Sequence, residues 1–199
     1  MVKTPMAGRA RGPLVAVLGA LDYAARKHVN HRRKGEAAEP YVNHLIEVAA
    51  LLAEATSGGD EALVTAGVLH DVIEDAGVEV GELRRRFGSD VATLVAEVTD
   101  DKTLPWQARK DRQVETAHAK SPRARMLKLA DKTSNLRSLA LSPPVDWSPE
   151  RRERYVDWAK QVANRCKGVN ARLDRAFEVA CAEAQARLAP MSRGRGRRA

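Results

Sequence analysis

The stretch Val68 to Asp75 reads V-L-H-D-V-I-E-D and constrains the fold more than any other part of the chain. Read as one apolar helix, it turns about 100° per residue. His70 and Glu74 then stand one turn apart on one face, with Asp71 three residues before Glu74 on nearly the same face. A His-Asp pair and a Glu-Asp pair thus share one groove among Val68, Leu69, Val72 and Ile73. Stripping water from an unpaired carboxylate is costly, so these groups must be paired or bound to a cation, and a divalent metal is the simplest partner.

Around this stretch the chain offers only helical patterns. The apolar spacing of Leu14, Val17, Leu18, Leu21, Ala24 and Ala25 predicts a helix to about His28. A second runs from about Tyr41 to Ala55, burying Val42, Ile46, Ala49 and Leu52 or their neighbours, with His44 in its first turn. Asp60 is an N-cap for Glu61 to Asp75, which Gly77 closes. Short helices follow at Val80 to Phe87 and, capped by Ser89, at Asp90 to Thr99. Trp106 to Ala119 reads as an exposed, charged helix. Ser121-Pro122 and Ser148-Pro149 each open a further helix with a capping hydroxyl and a proline in the first turn. The last runs from Ala171 to about Leu188. With no alternating strand pattern and a length of 199 residues, the expectation is an all-α, single-domain bundle of about eight helices without internal repeats.

The formal charge of +8 suggests a nucleic-acid protein until it is located. Lys3, Arg9 and Arg11 carry three of the charges and Arg193, Arg195, Arg197 and Arg198 carry four, leaving Pro13 to Ala189 at only +1. Residues 1–12 and 190–199 are therefore expected to be disordered basic tails flanking a folded domain at 13–189. No aromatic residue interleaves the terminal arginines to stack on bases, which makes nucleic acid an unfavoured partner. Cys166 and Cys181 form no C-x-x-C pair, which fits a reducing, cytoplasmic compartment and argues against a thiolate metal site. No apolar run approaches the roughly 20 residues that span a bilayer, and Leu14 to Leu21 is ended by Asp22 too soon for a secretory leader.

His44, His70, Asp71 and Asp131 offer two imidazoles and two carboxylates from three helices. A lone His-Asp dipeptide is more often a capping or pairing device, but the order H…HD…D with E-D following is hard to obtain by chance. Such a nitrogen and oxygen donor set suits Mn²⁺, Fe²⁺ or another octahedral ion with open positions better than a closed zinc site. A cation there acidifies water and polarises a phosphoryl oxygen, while Glu74 and Asp75 orient or deprotonate the water and help protonate the leaving group. The predicted chemistry is hydrolysis of a phosphate ester or anhydride.

The residues around this constellation carry a family resemblance. The segments are R-R-K-G at Arg32 to Gly35, Y-V-N-H at Tyr41 to His44, L-H-D-V-I-E-D at Leu69 to Asp75, V-T-D-D-K-T-L-P at Val98 to Pro105, and L-K-L-A-D-K-x-x-N-L-R at Leu127 to Arg137. From about Leu18 to Ala186 the chain resembles the HD-domain hydrolases of the RelA/SpoT family, among them the stand-alone small alarmone hydrolases of the Mesh1 type. The resemblance implies a Mn²⁺-dependent 3′-pyrophosphohydrolase acting on guanosine tetra- and pentaphosphate (ppGpp and pppGpp). It further implies that His44, His70, Asp71 and Asp131 hold the metal, that Glu74 and Asp75 activate water, and that Arg33, Lys34, Lys102 and Asn135 contact the nucleotide. Thr133-Ser134 departs from the bulkier pair usual in the family, pointing to a looser nucleotide pocket beside Ser134. The competing readings are a phosphohydrolase for another nucleotide, such as an NADPH phosphatase, and a non-catalytic nucleotide- or RNA-binding regulator.

Overall fold

A computed structural model describes residues 12–188, and the expected basic tails lie outside them. Among the described residues there are ten α-helices, one 3₁₀ turn and no β-strand. The helices are α1 (Pro13–Lys27), α2 (Val42–Thr56), α3 (Glu61–Leu69), α4 (Val72–Ala76), α5 (Val80–Phe87), α6 (Ser89–Val98), α7 (Trp106–Thr116), α8 (Pro122–Leu141), α9 (Pro149–Cys166) and α10 (Ala171–Leu188), with the 3₁₀ turn at Ala117–Ala119.

The all-α bundle matches the sequence expectation, and its centre is α3. Every residue from Leu63 to Leu69 is buried, so this helix is apolar all round and must be enclosed on all sides. It packs against α1, α2, α6 and α8. Gly67 permits the closest of these approaches: a Cβ there would lie 2.7 Å from Leu52 Cδ1 and 3.4 Å from Ala49 Cα on α2. Absence of that methyl brings the α2 and α3 backbones together, and with them the histidines each helix carries.

Three predicted helix starts are made by the capping residues named above. Asp60 Oδ1 accepts from Leu63 N–H at 3.0 Å. Ser121 Oγ accepts from Ala124 N–H at 3.2 Å, and Ser148 Oγ from Arg151 N–H at 3.3 Å. Each satisfies one of the backbone donors that a helix leaves open at its start. Ser89 differs: it is the first residue of α6, with Gly88 as the N-cap at φ +89.

Four further expectations need correction. The helix predicted from Glu61 to Asp75 is two helices, α3 and α4, interrupted at His70 and Asp71. His70 keeps φ −59, ψ −28, but Asp71 drifts to φ −100, ψ −3. The physical reason lies in the His70 side chain, whose Nδ1 donates to the Gly67 carbonyl, the oxygen that serves the helix ladder at this turn. In α2 Ala49 and Leu52 are buried as predicted, together with His44, Leu45, Val48 and Leu51, but Val42 is only half-buried and Ile46 is exposed. The start of α1 is similarly turned out, with Leu14 and Leu18 exposed and Ala20 and Ala24 buried. Finally, α7 is not simply an exposed helix, because Gln113 is buried and Arg109, Lys110 and Gln113 line an internal cavity.

Candidate active site

Three helices converge on one point. His44 comes from the first turn of α2, His70 from the break after α3, and Asp131 from the middle of α8. One donor atom from each lies within 4.8 Å of the others, and both imidazoles are buried. Asp71 is beside them, its Oδ2 3.0 Å from His70 Nε2 and 3.7 Å from His44 Nε2. The four residues singled out by the H…HD…D pattern are thus brought together.

The hydrogen bonds fix which ring nitrogens face the centre. A carbonyl can only accept, so the 2.8 Å contact between His70 Nδ1 and Gly67 O places a proton on Nδ1. On the other side, Ser134 donates its proton to Glu47 Oε2 at 2.6 Å, so its 2.8 Å contact with His44 Nδ1 is one that Ser134 Oγ accepts. Arg137 holds Glu47 through Oε1 at 2.9 Å. Both imidazoles therefore turn Nε2 inward, the nitrogen through which each would hold a metal once it is free of a proton. His70 Nε2 is buried without a well-aligned hydrogen bond and lies 3.0 Å from Asp71 Oδ2.

Electrostatics agree with a cation site. Burial pushes the His44 imidazole down, keeping it neutral. Burial also opposes charge on His70, but Asp71 and Asp131 outweigh it and raise that imidazole to about 9. Asp71 and Asp131 are held below the usual carboxylate range despite burial, Asp71 by His70 and Asp131 by Lys132 and the two histidines. An orphaned imidazole nitrogen, a second lone pair and two ionised carboxylates in one buried spot fit a divalent ion. His44, His70 and Asp131 are placed to hold it.

A cavity of about 340 Å³ opens from these ligands. Glu74 and Asp75 line it from α4. Burial, reinforced by Asp100, Asp71 and Asp75, pushes the Glu74 carboxyl up, the direction required of a group that exchanges protons near neutral pH. Arg109 Nη1 faces Glu74 Oε1 at 3.6 Å. Asp75 is exposed and pairs with Lys102 at 3.1 Å, and the same ammonium also donates to the Glu74 carbonyl. Lys102 thus sits on the outer side of the Glu74-Asp75 pair and is absent from the cavity wall.

Beside the cavity runs a wider groove lined by Arg33, Lys34 and Asn135. Arg33 donates to Asn135 Oδ1 at 3.0 Å, and Asn135 Nδ2 reaches Asp131 Oδ1 at 2.5 Å, which links this groove to the ligand set. The loop carrying Arg33 and Lys34 is pinned at Gly35, which bridges to Pro144, and Ala37 N–H donates to Ser142 Oγ at 3.2 Å.

Several residues escaped the sequence reading. Tyr41 donates to Asp71 Oδ2 at 2.7 Å, orienting that carboxylate. Ser134 is buried behind His44, so the expectation that it loosens a nucleotide pocket is overturned: its hydroxyl is used within the protein. Lys128 and Lys132 are buried cations on the cavity wall. Positions 128, 131, 132 and 135 follow the three-and-four spacing of one helix face, a polar stripe that was readable in α8.

The fold and site together define a helical metal-dependent hydrolase of HD type. The HD domain family model matches residues 20–166, and the chain belongs to that family. It is 44% identical over 162 residues to the Drosophila melanogaster protein "Guanosine-3′,5′-bis(diphosphate) 3′-pyrophosphohydrolase MESH1", covering 81% of this chain and 90% of that one. The Homo sapiens protein of the same name gives the same identity and coverage. A solved structure described as "A metazoan ortholog of SpoT hydrolyzes ppGpp and plays a role in starvation responses" superposes with a TM-score of 0.80 at 41% identity, covering 87% of this chain and 96% of that one. Among the described residues no helix is long and apolar enough to cross a membrane.

Proposed function

We propose that this protein is a guanosine-3′,5′-bis(diphosphate) 3′-pyrophosphohydrolase that degrades the alarmones ppGpp and pppGpp to GDP or GTP and pyrophosphate, using one Mn²⁺. The observation that carries this reading is the meeting, at one small cavity, of a buried His-His-Asp donor set with a carboxyl whose proton affinity is raised, Glu74. The relatives' printed activity supports the choice of substrate.

In this assignment His44, His70, Asp71 and Asp131 hold the ion. When bound, it supplies Lewis-acid polarisation of a phosphoryl oxygen and a supply of acidified water. Glu74 takes a proton from the water that attacks the 3′-phosphorus. The bond from phosphorus to the 3′ oxygen breaks, a proton passes to that oxygen through the Glu74-Asp75 pair, and pyrophosphate leaves. Tyr41 keeps Asp71 aimed inward, and Lys102 steadies Asp75. Arg33, Lys34 and Asn135 hold the nucleoside side of the substrate in the adjoining groove, where a guanidinium can stack on a purine. Catalysis belongs to the single domain at 13–189 and owes nothing to the basic ends. Free, buried Cys166 and Cys181 support a reducing, cytoplasmic setting.

The test is metal-dependent product release. With Mn²⁺ present, purified protein should convert the tetraphosphate to GDP and pyrophosphate in equal amounts, and chelation should stop it. Orthophosphate release instead, or faster turnover of NADPH than of the tetraphosphate under the same conditions, overturns the substrate assignment.

A further inference from the structure

The cavity beyond the ligands contains a cation that the mechanism above does not use. Lys110, on α7, points its ammonium at the Trp158 ring, 3.1 Å from the centroid, with Tyr155 at 5.0 Å and Trp106 at 5.7 Å. The Trp158 indole N–H donates to the Lys110 carbonyl at 3.1 Å, so the same ring ties down the backbone and faces the side chain. Four further cations share the wall with it: Lys34, Arg109, Lys128 and Lys132.

These charges are not equally matched. Lys132 is 2.7 Å from Asp131, Arg109 is 3.6 Å from Glu74, and Lys128 is 3.8 Å from Asp100. Lys110 has no carboxylate within 4.0 Å among the described residues and makes no side-chain hydrogen bond there. Arg109 Nε and Gln113 Oε1 are buried on the same helix without partners. Burial, with Lys132 close by, pushes the Lys110 ammonium down to about 7, and an ammonium held only by aromatic faces gains far less than one that also meets an anion. A divalent ion at the histidines offsets the Asp71 and Asp131 carboxylates, and the wall is then left with surplus positive charge.

We propose that this cavity is a pyrophosphate pocket in which Lys110, braced by Trp158, grips the terminal phosphate of the 3′-diphosphate and then the released pyrophosphate. The proposal deepens the function above and rests on it for the identity of the bound group. Size supports the division: about 340 Å³ lies at the small end of ligand pockets and suits a compact polyanion, whereas the neighbouring groove is wide enough for the nucleoside. Lys34, Asn135, Tyr155 and Trp158 line both spaces and Lys110 stands at their junction, so one substrate can bridge them. Arg109, Lys128 and Lys132 add to the field but are already paired, and Lys34 serves the nucleoside side, which leaves Lys110 as the group whose charge the anion would neutralise.

The experiment uses inorganic pyrophosphate as the probe. It is titrated into the Mn²⁺-loaded protein with free Mn²⁺ buffered, and in parallel pyrophosphate and GDP are compared as product inhibitors under the same buffering. Lys110→Met preserves length and a favourable contact with the aromatic rings, so the fold is kept, and thermal melting checks this. The expected result is about tenfold weaker pyrophosphate binding and inhibition, the loss of one charge-assisted contact, with GDP inhibition unchanged and Lys110→Arg restoring much of the loss. Unchanged pyrophosphate affinity in Lys110→Met, or an equal loss for GDP, overturns the pocket. Pyrophosphate binding that depends on Lys110 in a protein that fails to cleave the tetraphosphate would instead retain the pocket and reject the substrate assignment.

Discussion

Ser134 Oγ accepts a hydrogen bond from His44 Nδ1 at 2.8 Å while donating its own proton to Glu47 at 2.6 Å, so a buried hydroxyl decides which nitrogen of the imidazole faces the centre. The chain continues through Glu47 to Arg137, joining α2 to α8 behind the metal site. Partners of this kind orient ligands and raise their basicity.

Ser134→Ala should therefore weaken Mn²⁺ binding by roughly 10 to 100-fold, the usual range for losing such a partner. Without the hydroxyl, His44 Nδ1 and Glu47 Oε2 both lose a buried partner, so stability should fall by about 1 to 3 kcal/mol as well. Isothermal titration of Mn²⁺ into the variant checks this. Wild-type affinity would mean that the hydroxyl does not set the ligand.

The positions of His44, His70, Asp71 and Asp131 were legible because metal chemistry restricts residue type, and four matching residues survive as a pattern across 88 positions of chain. Helix starts were legible for the same reason at Asp60, Ser121 and Ser148, where a local hydrogen bond decides the outcome. What escaped was set by tertiary packing. Which face of α2 buries Leu45 and exposes Ile46 is set by its packing on α3 and α8. The charged face of α7 became a cavity wall because α8 presents Lys128 and Lys132 opposite it, and no periodicity within α7 contains that information. Ser134 was expected beside the nucleotide pocket because Thr133-Ser134 departs from the family's bulkier pair, yet it stands a turn of about 100° from Asn135, the residue that lines the groove.

Gly35 tests how the nucleotide loop is held. A Cβ at this position would overlap the Ser142 carbonyl oxygen, which is backbone and cannot swing aside. Gly35→Ala should push the Arg33-Lys34 segment away from the end of α8, raising KM for the tetraphosphate about tenfold with kcat little changed, and costing about 1 to 3 kcal/mol in stability. Steady-state kinetics decides. An unaltered KM would detach Arg33 and Lys34 from substrate binding.

His70 gives a pH dependence with a definite sign. Its carboxylate neighbours raise the folded imidazole to about 9, above the ordinary 6.5, so its contribution to the metal-free protein is fully present below about 6.5 and is lost as pH rises towards 9. The metal-free protein should melt at progressively lower temperature across that window. Mn²⁺ must displace the same proton, so its apparent affinity should rise about tenfold from pH 7 to pH 8, with close to one proton released per ion. Titrations in two buffers of different ionisation heat measure that proton. Affinity independent of pH would remove His70 protonation as the competitor.

Glu74→Gln should separate binding from chemistry. The carboxyl lines the cavity one turn beyond His70, and burial with Asp100, Asp71 and Asp75 raises its proton affinity, so it is poised to take a proton from water rather than to complete the ligand set. Glutamine keeps the size and can still hydrogen-bond, but it cannot accept that proton. If Glu74 is the base, turnover should fall roughly 10² to 10⁴-fold, or about 3 to 5 kcal/mol of barrier, while Mn²⁺ and nucleotide affinities stay near wild type. The wild-type rate should rise with pH through a limb displaced upward from the ordinary carboxylate range, because only ionised Glu74 is active, and the variant should lack that limb. A purely structural role, holding Arg109 at 3.6 Å, predicts weaker substrate binding with the limb intact. Single-turnover rates measured against pH on both proteins distinguish the two, and a near-wild-type rate in the variant would end the assignment of Glu74 as the base.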